Sequence, residues 1–246
     1  MLVISQGVGL VGMFIVALVV GGTVGAGDLL FGALGGLAGA AGVAMLYRGL
    51  ASGAMSLVAP ITGVVAVIVP VAVGVGGGDR PSLLQYAGIV LAVGAVALLS
   101  GGGSRAARLS RGTLLLAVGA GIGFGLFYVA IAKTSPGANL WPLVAARAAS
   151  VTALLVVSAA VRSAPRYGAA NPLVITGAGG LDVTANALYL LAVHGGLLSI
   201  VAVLVSLYPV STVLCSITFL GERLRAPQVA GVGAAIVAVV CITAGS

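Results

Sequence analysis

Asp182, Asn186 and Tyr189 follow one another at spacings of four and three residues inside the apolar stretch LVITGAGGLDVTANALYLLAV. On a helix these spacings put all three on one face. An ionised carboxylate facing lipid costs at least about 2.5 kcal/mol, so Asp182 is expected to face a bundle interior or a watery cavity. Arg147 lies in the preceding apolar stretch, WPLVAARAASVTALLVV. Counted from the same membrane side, Arg147 is about six residues deep and Asp182 about ten, which leaves an axial difference of roughly 6 Å. A guanidinium on its long stem spans that distance, so an Arg147 to Asp182 ion pair is expected. Three uses of the pair stay open: it holds two helices together, it opens and reforms as a ligand or proton enters, or Arg147 snorkels outward and leaves Asp182 to hydroxyls or water. Asp182 is the clear buried carboxylate for proton coupling.

Other residues qualify as site candidates on weaker grounds. Gln6, beside Ser5, lies in an apolar stretch with no capping role and would face a cavity completed by a further helix. Phe127 and Tyr128, with Phe124, sit among glycines in GIGFGLFYVA, where they form either an apolar binding wall or plain helix packing. Trp141, followed by Pro142, suits an interfacial anchor better than a cavity wall. Pro60, Pro70 and Pro209 fall inside apolar stretches, where a proline weakens the helix; Pro209, after Tyr208, is placed for a bend used in gating. His194 opens the HGG connection and reads as a surface or cap residue rather than a proton relay.

The same inventory argues against several chemistries. One histidine and four acidic residues scattered along the chain supply neither a zinc ligand set nor a concentrated catalytic constellation. No GxxxxGK[ST] phosphate loop occurs. Cys215 and Cys241 fall within apolar stretches and read as small packing residues. Neither a metal nor another cofactor is expected, and an integral membrane enzyme is the minor alternative.

The elements that must carry these residues follow from composition. Of 246 residues, 61% are hydrophobic and 6% charged, and the mean hydropathy is +1.28. A soluble domain keeps roughly a quarter of its residues charged to wet its surface, so this chain reads as an integral membrane protein. Nine apolar spans are expected, at about 3–21, 29–48, 54–74, 82–99, 112–132, 141–158, 172–192, 197–219 and 227–244. Most suit about 30 Å of hydrocarbon. The 40 glycines point to close helix packing rather than to alternating barrel strands. The net charge of +7 comes from basic residues in short linkers, notably Arg105, Arg108 and Arg111 in GGGSRAARLSRG. They read as membrane-side charges, and nucleic acid is not an expected partner.

The chain also repeats itself. Asp79 and Arg80 match Glu222 and Arg223, Gln85 matches Gln228 and Gly88 matches Gly231, all at a separation of 143. Tyr47 meets Tyr189, and Gly53 meets Gly195, at a separation of 142. The duplicated acid-Arg step is expected to cap and orient the turn between consecutive helices, with gating as the alternative. An odd number of helices per repeat points the two units oppositely through the bilayer, the geometry that exposes a midplane site alternately. Arg48, Arg105, Arg108, Arg111, Arg162, Arg166, Arg223 and Arg225 fall on one side, opposite Arg80, Lys133, Asp28 and Asp79. The basic side should be cytoplasmic, with Met1 inside and Ser246 outside.

The repeated pattern resembles the EamA-type family of the drug/metabolite transporter superfamily. The resemblance is carried by AMLYRGLASGAMSLVAPITGVVAVIVP with GGDRPSLLQYAGIVLAVGAVAL, and by the long run from LDVTANALYLL through LGERLRAPQVAGVGAAIVAVV. It implies an all-α, polytopic membrane protein of two inverted five-helix repeats with both termini cytoplasmic, in conflict with the arginine count. The family's first helix has no counterpart here, so the first repeat is expected to be truncated to four helices; a truncated or misassigned start is the preferred reading, with a real deletion as the alternative. The expected organisation is a first repeat at 1–100, a basic linker at 101–111 and a second repeat at 112–246. The resemblance implies a secondary transporter of a small organic metabolite or drug-like compound, in the inner or plasma membrane, working by alternating access with export as the preferred direction. The sequence leaves the coupling ion open; proton coupling, where present, would be carried by Asp182. An inactive or partner-dependent truncated transporter is the alternative; a homodimer is compatible with the sequence, but nothing in it indicates one.

Overall fold

In hydrocarbon every backbone amide must find its partner inside the chain, and a sequence this apolar meets that demand with helices. The computed structural model describes residues 2–52, 55–100, 110–160, 172–207, 210, 218 and 226–245. Among these residues the chain forms nine α-helices: α1 (Leu2–Val20), α2 (Ala26–Ala51), α3 (Met55–Gly77), α4 (Leu83–Ser100), α5 (Arg111–Ala132), α6 (Trp141–Ala160), α7 (Pro172–Gly195), α8 (Leu198–Ser206) and α9 (Ala226–Ala244). A short 3-10 turn, Pro136–Ala138, precedes α6. Among the described residues four helical stretches are long and apolar enough to cross a membrane: Ala26–Ala51, Leu57–Gly77, Arg111–Ala132 and Ala226–Ala244. Shorter apolar runs lie at Gly9–Val20, Leu83–Leu99 and Trp141–Val157. α3 remains one helix through both Pro60 and Pro70.

Contacts divide the chain into two units, Met1–Ala40 with Leu126–Gly195, and Ala41–Gly125 with Gly196–Ser246. Each unit therefore draws sequence from both halves of the chain.

In the first unit, α1 packs on α6 and α7. The early part of α2 meets α6 through Gly32 and Gly36: a methyl group on either would collide with the backbone of Pro142 or Ala146, respectively. The four-residue spacing of the two glycines on α2, matched by Pro142 and Ala146 four apart on α6, allows this backbone-to-backbone approach. One residue beyond Ala146 stands Arg147, so the glycine contact fixes the helix that carries it. The neighbouring pair Gly35 and Gly39 faces Phe127. Asp28, in the first turn of α2, accepts hydrogen bonds from the amides of Gly25 and Ser135 at 2.9 and 2.7 Å and from the Ser135 hydroxyl at 3.0 Å. Those bonds tie the start of α2 to the turn before α6.

In the second unit, Val67, Val96, Val203, Ala238 and Ile242 belong to one buried apolar cluster. α4 begins with a capping box: the Ser82 amide donates to Gln85 Oε1 at 2.8 Å while the Gln85 amide donates to the Ser82 hydroxyl at 3.3 Å. Two orphan amides of the first turn are thereby satisfied reciprocally. α4 and α9 run antiparallel in close contact. A methyl on Gly88 would meet Ile242 Cγ1 at 2.7 Å, and one on Gly231 would meet Leu99 Cγ at 2.8 Å. The separation of 143 that relates Gly88 to Gly231 also relates Leu99 to Ile242, so each contact is the other with its partners exchanged.

Candidate functional site

The expected pair forms. Arg147, on α6, donates through Nη2 to Asp182 Oδ2 on α7 and through Nη1 to Gln6 Oε1 on α1. One guanidinium thus binds three helices of the first unit, using its planar fork to address a carboxylate and an amide together. The Arg147 side chain is 12% exposed and that of Asp182 54%. Asn186, one turn along α7, donates to the Asp182 carbonyl at 2.7 Å and to Oδ1 at 3.3 Å. The second carboxylate oxygen is therefore held from its own helix, and the first from across the bundle.

About two helical turns beyond Asp182, roughly 10 Å along the axis, the same helix carries an aromatic cluster. Tyr189 is buried and donates its hydroxyl to the Tyr128 carbonyl at 2.8 Å. The Tyr128 and Tyr189 rings lie 4.7 Å apart, and Phe127 meets Tyr128 edge-on at 5.5 Å. Near the other end of α1, Phe14 packs edge-on against Trp141 at 5.8 Å. These rings make apolar walls, and the Tyr189 hydroxyl among them is already engaged.

Of the sequence candidates, Gln6, Arg147, Asp182 and Asn186 come together, and Phe127, Tyr128 and Tyr189 form the aromatic cluster. Tyr47 is 58% exposed on α2, unlike the buried Tyr189 it matches in the duplication. Asp79 lies after α3, where its Oδ2 accepts the Ser199 amide at 2.8 Å and hydroxyl at 2.7 Å. That places a carboxylate on the amides opening α8, where the helix dipole favours negative charge. Arg80 is exposed and donates to the Asp79 carbonyl at 3.3 Å. Glu222, Arg223 and Pro209 lie outside the described residues.

His194 falls in the last turn of α7 rather than in the connection after it, with Nε2 3.3 Å from the Thr134 hydroxyl. Sequence reasoning missed Ser135 and Ser199 as partners of Asp28 and Asp79, and Gly32 and Gly36 as the contact that seats α6. The last had a signal, the four-residue glycine spacing in FGALGGLAG.

Two polar side chains of apolar helices, Gln6 and the accessible Asp182, converge on one guanidinium. This arrangement can hold a small polar solute or a proton. A model of the EamA-like transporter family matches residues 111–244. Among solved structures 16 chains are similar; one, described as a crystal structure of a protein, has a TM-score of 0.63 and 17% sequence identity, covering 98% of this chain and 86% of that one. That likeness is one of fold. No curated protein matches the chain. The family match spans more than half of the sequence and includes the helices carrying Arg147 and Asp182, and this multi-pass membrane protein belongs to the EamA-like transporter family, a non-catalytic membrane transport family.

Proposed function

We propose that the chain is a secondary transporter of a small organic solute, and that Arg147, Asp182 and Gln6 form its solute and coupling site. The observation that carries this reading is the guanidinium shared by three helices while its carboxylate partner stays half exposed. A pair whose only role is to hold helices together has no need of an open carboxylate. An ionised carboxylate is also costly against lipid, so its exposed side belongs to a watery space.

The wider architecture in this proposal is nine spans in two inverted repeats, 1–100 and 112–246, joined by the basic linker 101–111, in the inner or plasma membrane. The exchanged contacts of Gly88 with Ile242 and Gly231 with Leu99 support it, because a twofold relation in the membrane plane interchanges the partners of such a pair. Transport then follows by alternating access, with Asp182 as the proton carrier.

Uptake of a labelled metabolite panel into proteoliposomes, with and without a pH gradient, tests the reading. Saturable, gradient-dependent flux is expected from the native chain. Flux that survives Arg147→Gln unchanged would remove the pair from the transport site.

A further inference from the structure

We infer that the transported solute carries an anionic group, a carboxylate or phosphate, which binds Arg147 and enters together with one proton taken by Asp182. The inference rests on the pair being the solute site, and charge balance decides its direction. As found, the pair is neutral and closed. A cationic solute binding Asp182 would displace a guanidinium that keeps its charge in proteins, leaving two cations facing one carboxylate with only the neutral Gln6 in compensation. An anion approaching Arg147 meets a partner that can be neutralised: a proton on Asp182 removes the competing charge. The guanidinium, still held by Gln6, then has an open fork for a second pair of oxygens.

The exposures agree with this order of events. Asp182, at 54%, is the accessible member and receives the proton; Arg147, at 12%, stays in place and changes only its partner. Loading adds one proton and one monoanion to a neutral pair and leaves it neutral, and release reverses both. Among the described residues, few ionisable side chains lie on the helices that carry the site. α1 has no ionisable residue, and Arg147 is the only one on α6. α5 brings Tyr128 against Tyr189, and on α7 itself Tyr189 and His194 lie two and more turns away.

The native chain contains a single tryptophan, Trp141, on the same helix as Arg147, which makes its fluorescence a direct reporter. The purified protein would be titrated with benzoate, phenyl phosphate, benzylamine and benzyl alcohol. At least one anionic probe should saturate the signal, and the affinity for benzoate should fall roughly tenfold per unit rise in pH across the range in which Asp182 must first be protonated. The amine and the alcohol should give no saturable change.

Asp182→Asn should remove the pH dependence of benzoate binding; phenyl phosphate, which itself ionises near neutral pH, is read for saturation alone. Arg147→Gln should abolish the binding, and Arg147→Gln with Asp182→Asn, which leaves no unpaired charge, should abolish it too. Preference for benzylamine, no saturation by either anion, pH-independent benzoate binding in the native chain, or anion binding retained in the double variant would each overturn the inference. Saturable flux of a cationic metabolite in proteoliposomes would overturn it and leave the transporter reading intact; anion binding without flux of any solute would keep an anion site at Arg147 but overturn the transporter reading, and with it the claim that the anion is carried.

Discussion

Asp79 reaches 120 positions along the chain to bind both the amide and the hydroxyl of Ser199, at 2.8 and 2.7 Å. The residue at the N-cap of α8 is Leu197, whose side chain has no oxygen to offer. The acid of the duplicated acid-Arg step therefore does for α8 what a local serine or aspartate does for most helices.

Asp79→Ala should lower stability by about 1–2 kcal/mol, the range for removing a good cap. Ser199→Ala should cost less, because the amide bond to Asp79 survives. Gly74→Ala should resemble Asp79→Ala, since its methyl would lie 2.5 Å from Asp79 Oδ2 and 2.9 Å from the Ser199 nitrogen. Thermal unfolding in detergent, with exposed Arg80→Ala as a near-neutral control, ranks the four.

The glycines of α2 give a sharper contrast. Gly36→Ala drives a methyl into the backbone of Ala146, which no side-chain rotation can relieve. The loss should exceed the 1–3 kcal/mol typical of overpacking, and it should loosen the helix that carries Arg147. Gly12→Ala, in open space on α1, should be neutral or stabilising by up to about 1 kcal/mol through helix propensity. Unfolding temperatures of the two variants, read side by side, test the claim.

Helix positions were legible in the sequence because apolar runs bounded by charge and glycine leave little freedom: the expected 82–99 and 141–158 become Leu83–Ser100 and Trp141–Ala160. The Arg147 to Asp182 pair was legible too, since membrane depth converts residue count into height and both side chains need a partner. The partner of Asp79 was not, because a cap supplied from the far side of the sequence leaves no local pattern. Which glycines matter was equally hidden: 40 of them look alike, and only packing separates Gly36 from Gly12. Tyr47 and Tyr189 mark the limit of the duplication, which matches their positions but not the neighbours that bury one and expose the other.

The α4 to α9 contact predicts unequal rescue from matched substitutions. Around Gly231 the nearest atoms are all side chain, from Leu98 and Leu99, whereas Gly88 also faces the Ala238 carbonyl oxygen at 2.9 Å. Leu99→Ala should therefore restore much of the stability lost in Gly231→Ala. Ile242→Ala should restore less in Gly88→Ala, where the backbone still obstructs. A pair of double-mutant cycles measured by unfolding separates the two cases.

The ion pair carries the last expectation. Removing Arg147 alone leaves a carboxylate in an apolar bundle without its counter-charge, while removing both charges leaves two amides able to bond each other and Gln6. Breaking a fully buried pair costs about 3–5 kcal/mol; with Asp182 half exposed, water takes up part of the deficit, and Arg147→Gln should cost about 1–3 kcal/mol. Asp182→Asn added to that variant should recover part of the stability without recovering transport. Unfolding and uptake measured on the same preparations separate the structural share of the pair from its share in moving solute. If the double variant is no more stable than Arg147→Gln alone, the two charges are not coupled as the geometry requires.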